Sequence, residues 1–218
     1  MNEVPKVSVI VPCRNEGAFI GRCLDSVLAN DYPPERLEIL VVDGMSTDGS
    51  REILRPYGEK FPQIKVLENE KKVTPLAFNL GIRHATGQVV MILGAHSTCA
   101  KDYITKCVHY LDEYNADNAG GIIKTVPQKP GLVGGAITAC LSHWFGVGGS
   151  YFRIHTDKPR WVDTVFGGCY RREVFERVGL FNEKLARGQD MEFNVRLNEG
   201  GKFCWCPKSF HNTIGAQT

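Results

Sequence analysis

Four apolar, strand-length runs stand in the first 94 residues, and three of them end on a proline, an aspartate or a glycine. The runs are K-V-S-V-I-V-P (Lys6 to Pro12), L-E-I-L-V-V-D (Leu37 to Asp43), a short one at Ile64 to Leu67, and V-V-M-I-L (Val89 to Leu93). Near-continuous β-branched composition is what a strand buried on both faces of a parallel sheet requires. Between the runs lie helical patterns. In Gly17 to Asn30 the apolar positions Phe19, Ile20, Cys23, Leu24, Val27 and Leu28 recur at spacings of three and four. Ser50 to Tyr57 follows a polar turn that Asp48 or Ser46 can cap, and Thr74 to His84 has Pro75 at its first turn. The order β-α-β-α-β-α-β predicts an α/β, Rossmann-like doubly wound, mostly parallel central sheet with right-handed crossovers. In such a sheet the ligand lies beyond the carboxyl ends of the strands, so Pro12, Asp43 and Gly94 are expected to share one crevice.

The second half is less regular. Asp102 to Tyr114 has the spacing of a further helix and Ala119 to Val126 that of a strand. Leu132 to Phe145 looks helical, and Gly146 to Arg160 is a long glycine-rich and aromatic segment of the kind that closes over sites as a lid. A strand at Trp161 to Phe166, helices at Arg171 to Val178 and Gln189 to Asn198, and a last strand at Lys202 to Cys206 complete the expected elements. No internal repeat or low-complexity tract interrupts the chain, and one domain over residues 1–218 is expected.

Charge and cysteine usage exclude several classes. Lysine and arginine total 26 against 24 acidic residues. With no basic stripe interleaved with aromatics, nucleic acid is not an expected partner. Met1 to Lys6 has no apolar signal core, and the uncharged stretch Gly131 to Tyr151 is too broken by glycines and polar residues for a spanning helix, so a cytoplasmic start is expected. The eight cysteines are scattered without a C-x-x-C pair, which fits reduced thiols better than a zinc cluster.

Several stretches in order resemble the family 2 inverting glycosyltransferases with a GT-A fold. They are V-S-V-I-V-P-C-R-N-E, L-V-V-D-G-M-S-T-D-G-S, a helix containing A-F-N-L-G-I, the strand that runs into Gly94-Ala95-His96, F-G-G-C-Y-R-R-E-V-F-E-R-V-G-L-F-N-E, and Q-D-M-E-F-N-V-R-L. The resemblance runs from Val7 to about His211. The stretch S-H-W-F-G-V-G-G-S-Y-F-R is similar to a branch that includes bacterial succinoglycan-type exopolysaccharide enzymes.

The resemblance implies a nucleotide-sugar half (about residues 1–126) and an acceptor-side half carrying the catalytic base (about 127–218). Pro12, Arg14 and Glu16 would surround base and ribose, with Asp43 on the base and Ser46, Asn79, Gly94 and Ala95 also on the donor side. A buried carboxylate at Asp43 suits an imide N–H such as that of uracil, so a UDP-sugar is the favoured donor. The family's Asp-x-Asp motif is replaced by Gly94-Ala95-His96. His96 would then be the ligand of a divalent metal, with His211 against the same ion, or would meet the diphosphate directly as a cation. An imidazole ligand favours Mn²⁺ over Mg²⁺.

Asp190 matches the second residue of the family's Glu-Asp motif, where a carboxylate removes the acceptor's proton. Gln189 stands where Glu is usual, and Glu192 is the less favoured alternative base. Trp161, Gly168 and Arg171 would shape the acceptor side. The implied partners are a nucleotide-sugar and a glycan or lipid-linked acceptor, with peripheral membrane association open and the oligomeric state undefined. A catalytically inactive nucleotide-sugar-binding relative is the alternative. A dehydrogenase is disfavoured because P-C-R-N-E-G lacks G-x-G-x-x-G.

Overall fold

The computed structural model describes residues 4–121, 123–127, 161–162, 165–185, 187–199, 203–205 and 212–216. The parallel strands are β1 (Val7–Cys13), β2 (Leu37–Asp43), β3 (Ile64–Glu68) and β4 (Val89–Ile92). Helices α1 (Ile20–Leu28), α2 (Ser50–Lys60) and α3 (Thr74–His84) alternate with them. After the two-residue β5 (Ser97–Thr98) come α4 (Tyr103–Glu113), β6 (Asn118–Gly121), β7 (Ile123–Pro127), β8 (Phe166–Arg171), α5 (Glu173–Val178), α6 (Gln189–Asn198), β9 (Phe203–Trp205) and β10 (Asn212–Ala216). The central sheet has the order β3-β2-β1-β4-β8-β6-β9, and a small sheet pairs β5, β10 and β7. β8 is antiparallel to both β4 and β6. The central sheet is therefore mostly parallel, with one reversed strand beside the switch point between β1 and β4.

Alternation along the strands sorts the core into two layers, because successive side chains leave opposite faces of a sheet. Val7, Val9, Val11, Ile39, Val41, Val89 and Met91 pack with Ile20, Leu24, Leu54 and Ile104. Ile10, Leu40, Val42 and Val90 pack on the other face with Phe78, Phe175, Phe181 and Phe193. Helix α3 lies so close to β1 that a Cβ at Gly81 would come within 2.5 Å of the Ile10 side chain. A larger residue there would push helix and sheet apart.

The amino-terminal edge of the sheet is closed by a buried carboxylate. Glu38, 3% exposed, accepts hydrogen bonds at Oε2 from Ser8 Oγ (2.6 Å), Thr86 N (2.9 Å) and Thr86 Oγ1 (3.1 Å). Its Oε1 faces Lys65 Nζ at 3.2 Å. Burial by itself would raise this carboxyl, but the bonds from Ser8, Thr86 and Lys65 outweigh burial and hold it at about 2.

Three details differ from the sequence expectations. The run read as one strand, Ala119 to Val126, divides between the two sheets as β6 and β7, with a register shift between Ala119 and Gly121. The strand expected at Trp161 to Phe166 instead occupies Phe166–Arg171, and the helix after it begins at Glu173. Among the described residues no helix is long and apolar enough to cross a membrane. The expected lid, Gly146 to Arg160, lies outside the described residues, as does Gly131 to Tyr151. The thiols of Cys13, Cys23, Cys99, Cys107 and Cys169 are free and buried.

Candidate active site

The carboxyl-terminal tips of β1, β2 and β4 do converge. Pro12, Cys13, Val42, Gly44, Ile92 and Gly94 line one cavity of about 320 Å³. That volume is enough for a small-molecule ligand. The turn after β1 is fixed from the turn after β2. Asn15 N donates to Ser46 Oγ (2.9 Å), Thr47 N to Asn15 Oδ1 (2.9 Å), Glu16 N to Ser50 Oγ (2.9 Å) and Gly17 N to Asp48 Oδ2 (2.9 Å). Asp48 Oδ1 also accepts from the first amide of α2, Ser50 N, at 3.1 Å. The N-cap position itself is Gly49, Asp48 just before it satisfies the first helical amide, and Ser46 serves Asp43 instead.

Asp43 is completely buried behind Gly44. Its Oδ1 accepts from Ser46 Oγ at 2.5 Å, and its Oδ2 lies 2.9 Å from Arg51 Nε. Ser46 N reaches both oxygens at 3.2–3.3 Å. Neither Asp43 nor Ser46 is on the cavity wall, although their neighbours Val42 and Gly44 are. Arg14 lies across Gly44, where an added Cβ would sit 3.2 Å from the arginine side chain, and its Nη1 donates to Lys72 O (3.2 Å). That bond draws the Asn69 to Thr74 loop over the cavity, with Lys72 in the left-handed region at φ 58°.

Gly94, Ala95 and His96 form a tight turn closed by Ser97 N donating to Gly94 O at 2.9 Å. All three line the cavity, and so does Glu16, whose Oε1 lies 3.5 Å from His96 Nδ1. Across from them stand Gly168, Tyr170 and Asp190. A Cβ at Gly168 would meet the Tyr170 ring at 2.6 Å, so this glycine makes room for the aromatic wall. Asp190, in the first turn of α6, exposes surface to solvent yet is crowded by protein atoms, and burial raises its carboxyl above the ordinary aspartate value. Burial also pushes the Tyr170 hydroxyl up, and the nearby Asp190 charge adds to that effect.

Other expected site residues have different surroundings. Asn79, 1% exposed, is engaged by the chain, giving Nδ2 to Phe181 O and to Glu183 Oε1 (both 2.9 Å) and accepting from Phe181 N (3.0 Å). Arg171 binds the end of α4 through Leu111 O (2.6 Å), Ala116 O (3.0 Å) and Asp112 (2.9 Å). Trp161 packs edge-on against Tyr114. None of the three lines the cavity. Glu192 is held by Arg196 at 2.6 and 2.9 Å and does not line the cavity. His211 lies outside the described residues.

Cavity residues not singled out from the sequence include Asn69 and Lys72, which lie outside the quoted motifs, and Phe78, Tyr170 and Phe181, which lie within them. Tyr170 was legible in principle, since it is two residues after Gly168 on a strand and shares its face. Lys72 and Phe181 are set by loop conformation, which spacing does not encode.

A cation could use Glu16 and His96, but among the described residues no group of three histidine, cysteine or acidic side chains could hold one alone. Such a site fits an ion that takes its remaining ligands from a bound molecule.

The strand tips of a mostly parallel sheet thus open on one crevice, and a carboxylate raised by burial is in its lining. The family model described as "Glycosyl transferase family 2" matches residues 8–179, and the chain belongs to that family. A Methanococcus voltae dolichyl N-acetyl-alpha-D-glucosaminyl phosphate 3-beta-D-2,3-diacetamido-2,3-dideoxy-beta-D-glucuronosyltransferase is 32% identical over 203 residues, covering 89% of this chain and 62% of its own length. The succinoglycan biosynthesis protein ExoA of Rhizobium meliloti is 27% identical, covering 90% of this chain and 59% of its own. The chain thus spans about three-fifths of the length of these curated relatives.

Among solved structures, S. aureus TarS 1–349 in complex with UDP-GlcNAc superposes with a TM-score of 0.76 at 20% identity, covering 98% of this chain and 60% of that one. The mannosyltransferase PcManGT from Pyrobaculum calidifontis, in complex with GDP-Man and Mn²⁺, gives 0.74 at 24% identity, with 100% and 59% covered. The fold is GT-A.

Proposed function

We propose that this chain is the catalytic domain of an inverting glycosyltransferase. It moves a sugar from a nucleotide-sugar, a UDP-sugar before others, to a hydroxyl of a glycan or lipid-linked acceptor in polysaccharide assembly. The observation that carries the reading is that Asp190, with its raised carboxyl, faces the same cavity as Pro12, Arg14, Glu16 and the Gly94-Ala95-His96 turn. The nucleotide lies against the β1, β2 and β4 tips, with Arg14, Lys72 and the Gly44 backbone around it, and Asp43 behind them holds the Ser46 turn and Arg51. His96, with Glu16 beside it, is the residue that would hold a divalent metal, Mn²⁺ in preference to Mg²⁺ because the donor is an imidazole. When bound, that metal offsets charge on the departing nucleoside diphosphate.

Asp190 takes the proton from the acceptor hydroxyl as the oxygen attacks the anomeric carbon, and a single displacement converts an α-linked donor into a β-linkage. Its raised pKa suits a group that must hold a proton after attack. The TarS and PcManGT complexes support donors of the UDP and GDP types for the fold. Uridine is favoured by the family resemblance and not by Asp43, which is fully buried, off the cavity wall and engaged by Ser46 and Arg51.

Titration calorimetry with UDP, with GDP as control, in Mn²⁺, Mg²⁺ or chelator tests the reading. UDP is expected to bind more tightly than GDP, and more tightly in Mn²⁺ than in Mg²⁺. Absence of binding by either nucleotide contradicts it. Binding without turnover on any UDP-sugar selects the inactive relative, a reading favoured by glycine at position 94.

A further inference from the structure

Gly94 and His96 stand in one tight turn, and the His96 ring packs beside position 94. A Cβ at position 94 would lie 3.4 Å from His96 Cε1, 3.6 Å from Nε2 and 3.5 Å from Ser97 Oγ. A Cβ there would thus stand in ordinary van der Waals contact with the imidazole edge, which places the His96 ring against position 94. Nδ1, bonded to Cε1 in the ring, faces Glu16 Oε1 at 3.5 Å, and the two side chains are 39% and 19% exposed.

Glu16 is itself anchored. Its amide donates to Ser50 Oγ, and its carbonyl accepts from Phe19 and Ile20 at the start of α1. Its second carboxylate oxygen, Oε2, is buried and has no hydrogen-bond partner among the described residues. A buried carboxylate oxygen left unpaired is costly, so the group has acceptor capacity to give. A separation of 3.5 Å exceeds an ordinary hydrogen bond, and such contacts in ligand-free sites commonly tighten on binding.

We propose that Glu16 is the positioning residue for His96. Its carboxylate accepts a hydrogen bond from Nδ1–H, which fixes the tautomer and the ring plane and leaves Nε2 as the nitrogen that would meet a divalent cation carried by the donor diphosphate. A histidine ligand whose other ring nitrogen donates to a carboxylate is a recurrent device of metal sites, and it raises the basicity of the ligating nitrogen. Glu16 then serves the metal through His96 rather than the base or ribose. This inference rests on the nucleotide-sugar reading above.

The test is Mn²⁺ binding to the UDP-saturated chain, followed by electron paramagnetic resonance of free Mn²⁺, in wild type, Glu16→Ala and Glu16→Gln, with UDP affinity in chelator measured alongside. Glu16→Ala is expected to weaken Mn²⁺ binding about 10- to 100-fold with UDP affinity in chelator unchanged. Glu16→Gln, whose amide oxygen still accepts from Nδ1–H, is expected to recover most of it. Long-range ¹H–¹⁵N spectra of the metal-free protein are expected to show the His96 proton on Nδ1 in wild type and a mixture of tautomers in Glu16→Ala. Wild-type Mn²⁺ affinity in Glu16→Ala overturns the proposal. So does an equal loss in both variants with the tautomer unchanged, which would make Glu16 a direct ligand. If wild type fails to bind UDP at all, the nucleotide-sugar reading falls, and this inference with it.

Discussion

Glu38 sits at the amino-terminal edge of the central sheet and Asp190 faces the carboxyl-terminal edge, and the same fold treats the two carboxylates in opposite ways. Glu38 receives donors from Ser8, Thr86 and Lys65 and is held down at about 2. Asp190 is crowded by protein and is pushed up by burial. Both differences follow from the strand direction of a doubly wound sheet. At the amino-terminal edge the chain arrives through short turns whose amides and hydroxyls can close on a buried acid. At the other edge the loops open to leave a cavity. The first arrangement spends its polar groups on stability, and the second keeps a carboxylate able to change protonation state.

The largest expected effect on stability comes from breaking the closed edge. Glu38→Gln removes a charged acceptor from the Ser8 and Thr86 donors and should cost about 3 kcal/mol in urea unfolding, with UDP affinity unchanged. The same contrast has a pH signature. The folded-state value of Glu38 lies below the ordinary 4.5, so its contribution is complete above pH 4.5 and is lost as the pH falls towards 2. Unfolding free energies measured between pH 6 and 2.5 should show a decline in wild type that is smaller in Glu38→Gln.

At the open edge, Gly168→Ala drives a Cβ into the Tyr170 ring. It should destabilise the fold by about 2 kcal/mol and also weaken UDP-sugar binding, as read by thermal unfolding and calorimetry. Unchanged affinity would place Tyr170 outside the donor site. Arg171→Ala removes the bonds to the end of α4 and should cost about 1 kcal/mol of stability with no change in the KM for donor or acceptor. A changed KM with intact stability would return Arg171 to the acceptor site.

The smallest effect has the opposite sign. Because Asp190 is raised in the fold, its contribution to stability is present at low pH and is lost as the pH rises through the folded-state value. Asp190→Asn should therefore be at least as stable as wild type at pH 7, whereas Glu38→Gln should be less stable. Thermal unfolding of both at one pH checks the pair.

How far this division was legible in the sequence depends on the kind of signal. The β-branched runs at Val7, Leu37 and Val89 specified three parallel strands, because burial on both faces admits little else. The tips at Pro12 and Gly94, and Gly44 beside Asp43, do line one cavity. The reversed strand was misplaced by several residues because the strand was read as ending before the Gly167-Gly168 pair, although both are strand positions and Gly168 is small where the Tyr170 ring lies. Asn79 and Arg171 sit in motif positions but serve the chain's own carbonyls and amides, a role that spacing cannot separate from ligand contact. The Glu38 network was not anticipated, since a glutamate within a strand carries no mark of the three partners that its fold brings to it.

Sugar transfer by Asp190→Asn, measured with its UDP affinity on the same preparation, tests the central claim most directly. Transfer should fall by about 10² to 10⁴-fold while UDP binds as in wild type. Turnover at the wild-type rate would show that the raised carboxylate is not the base and would contradict the assignment of the open edge as the catalytic one.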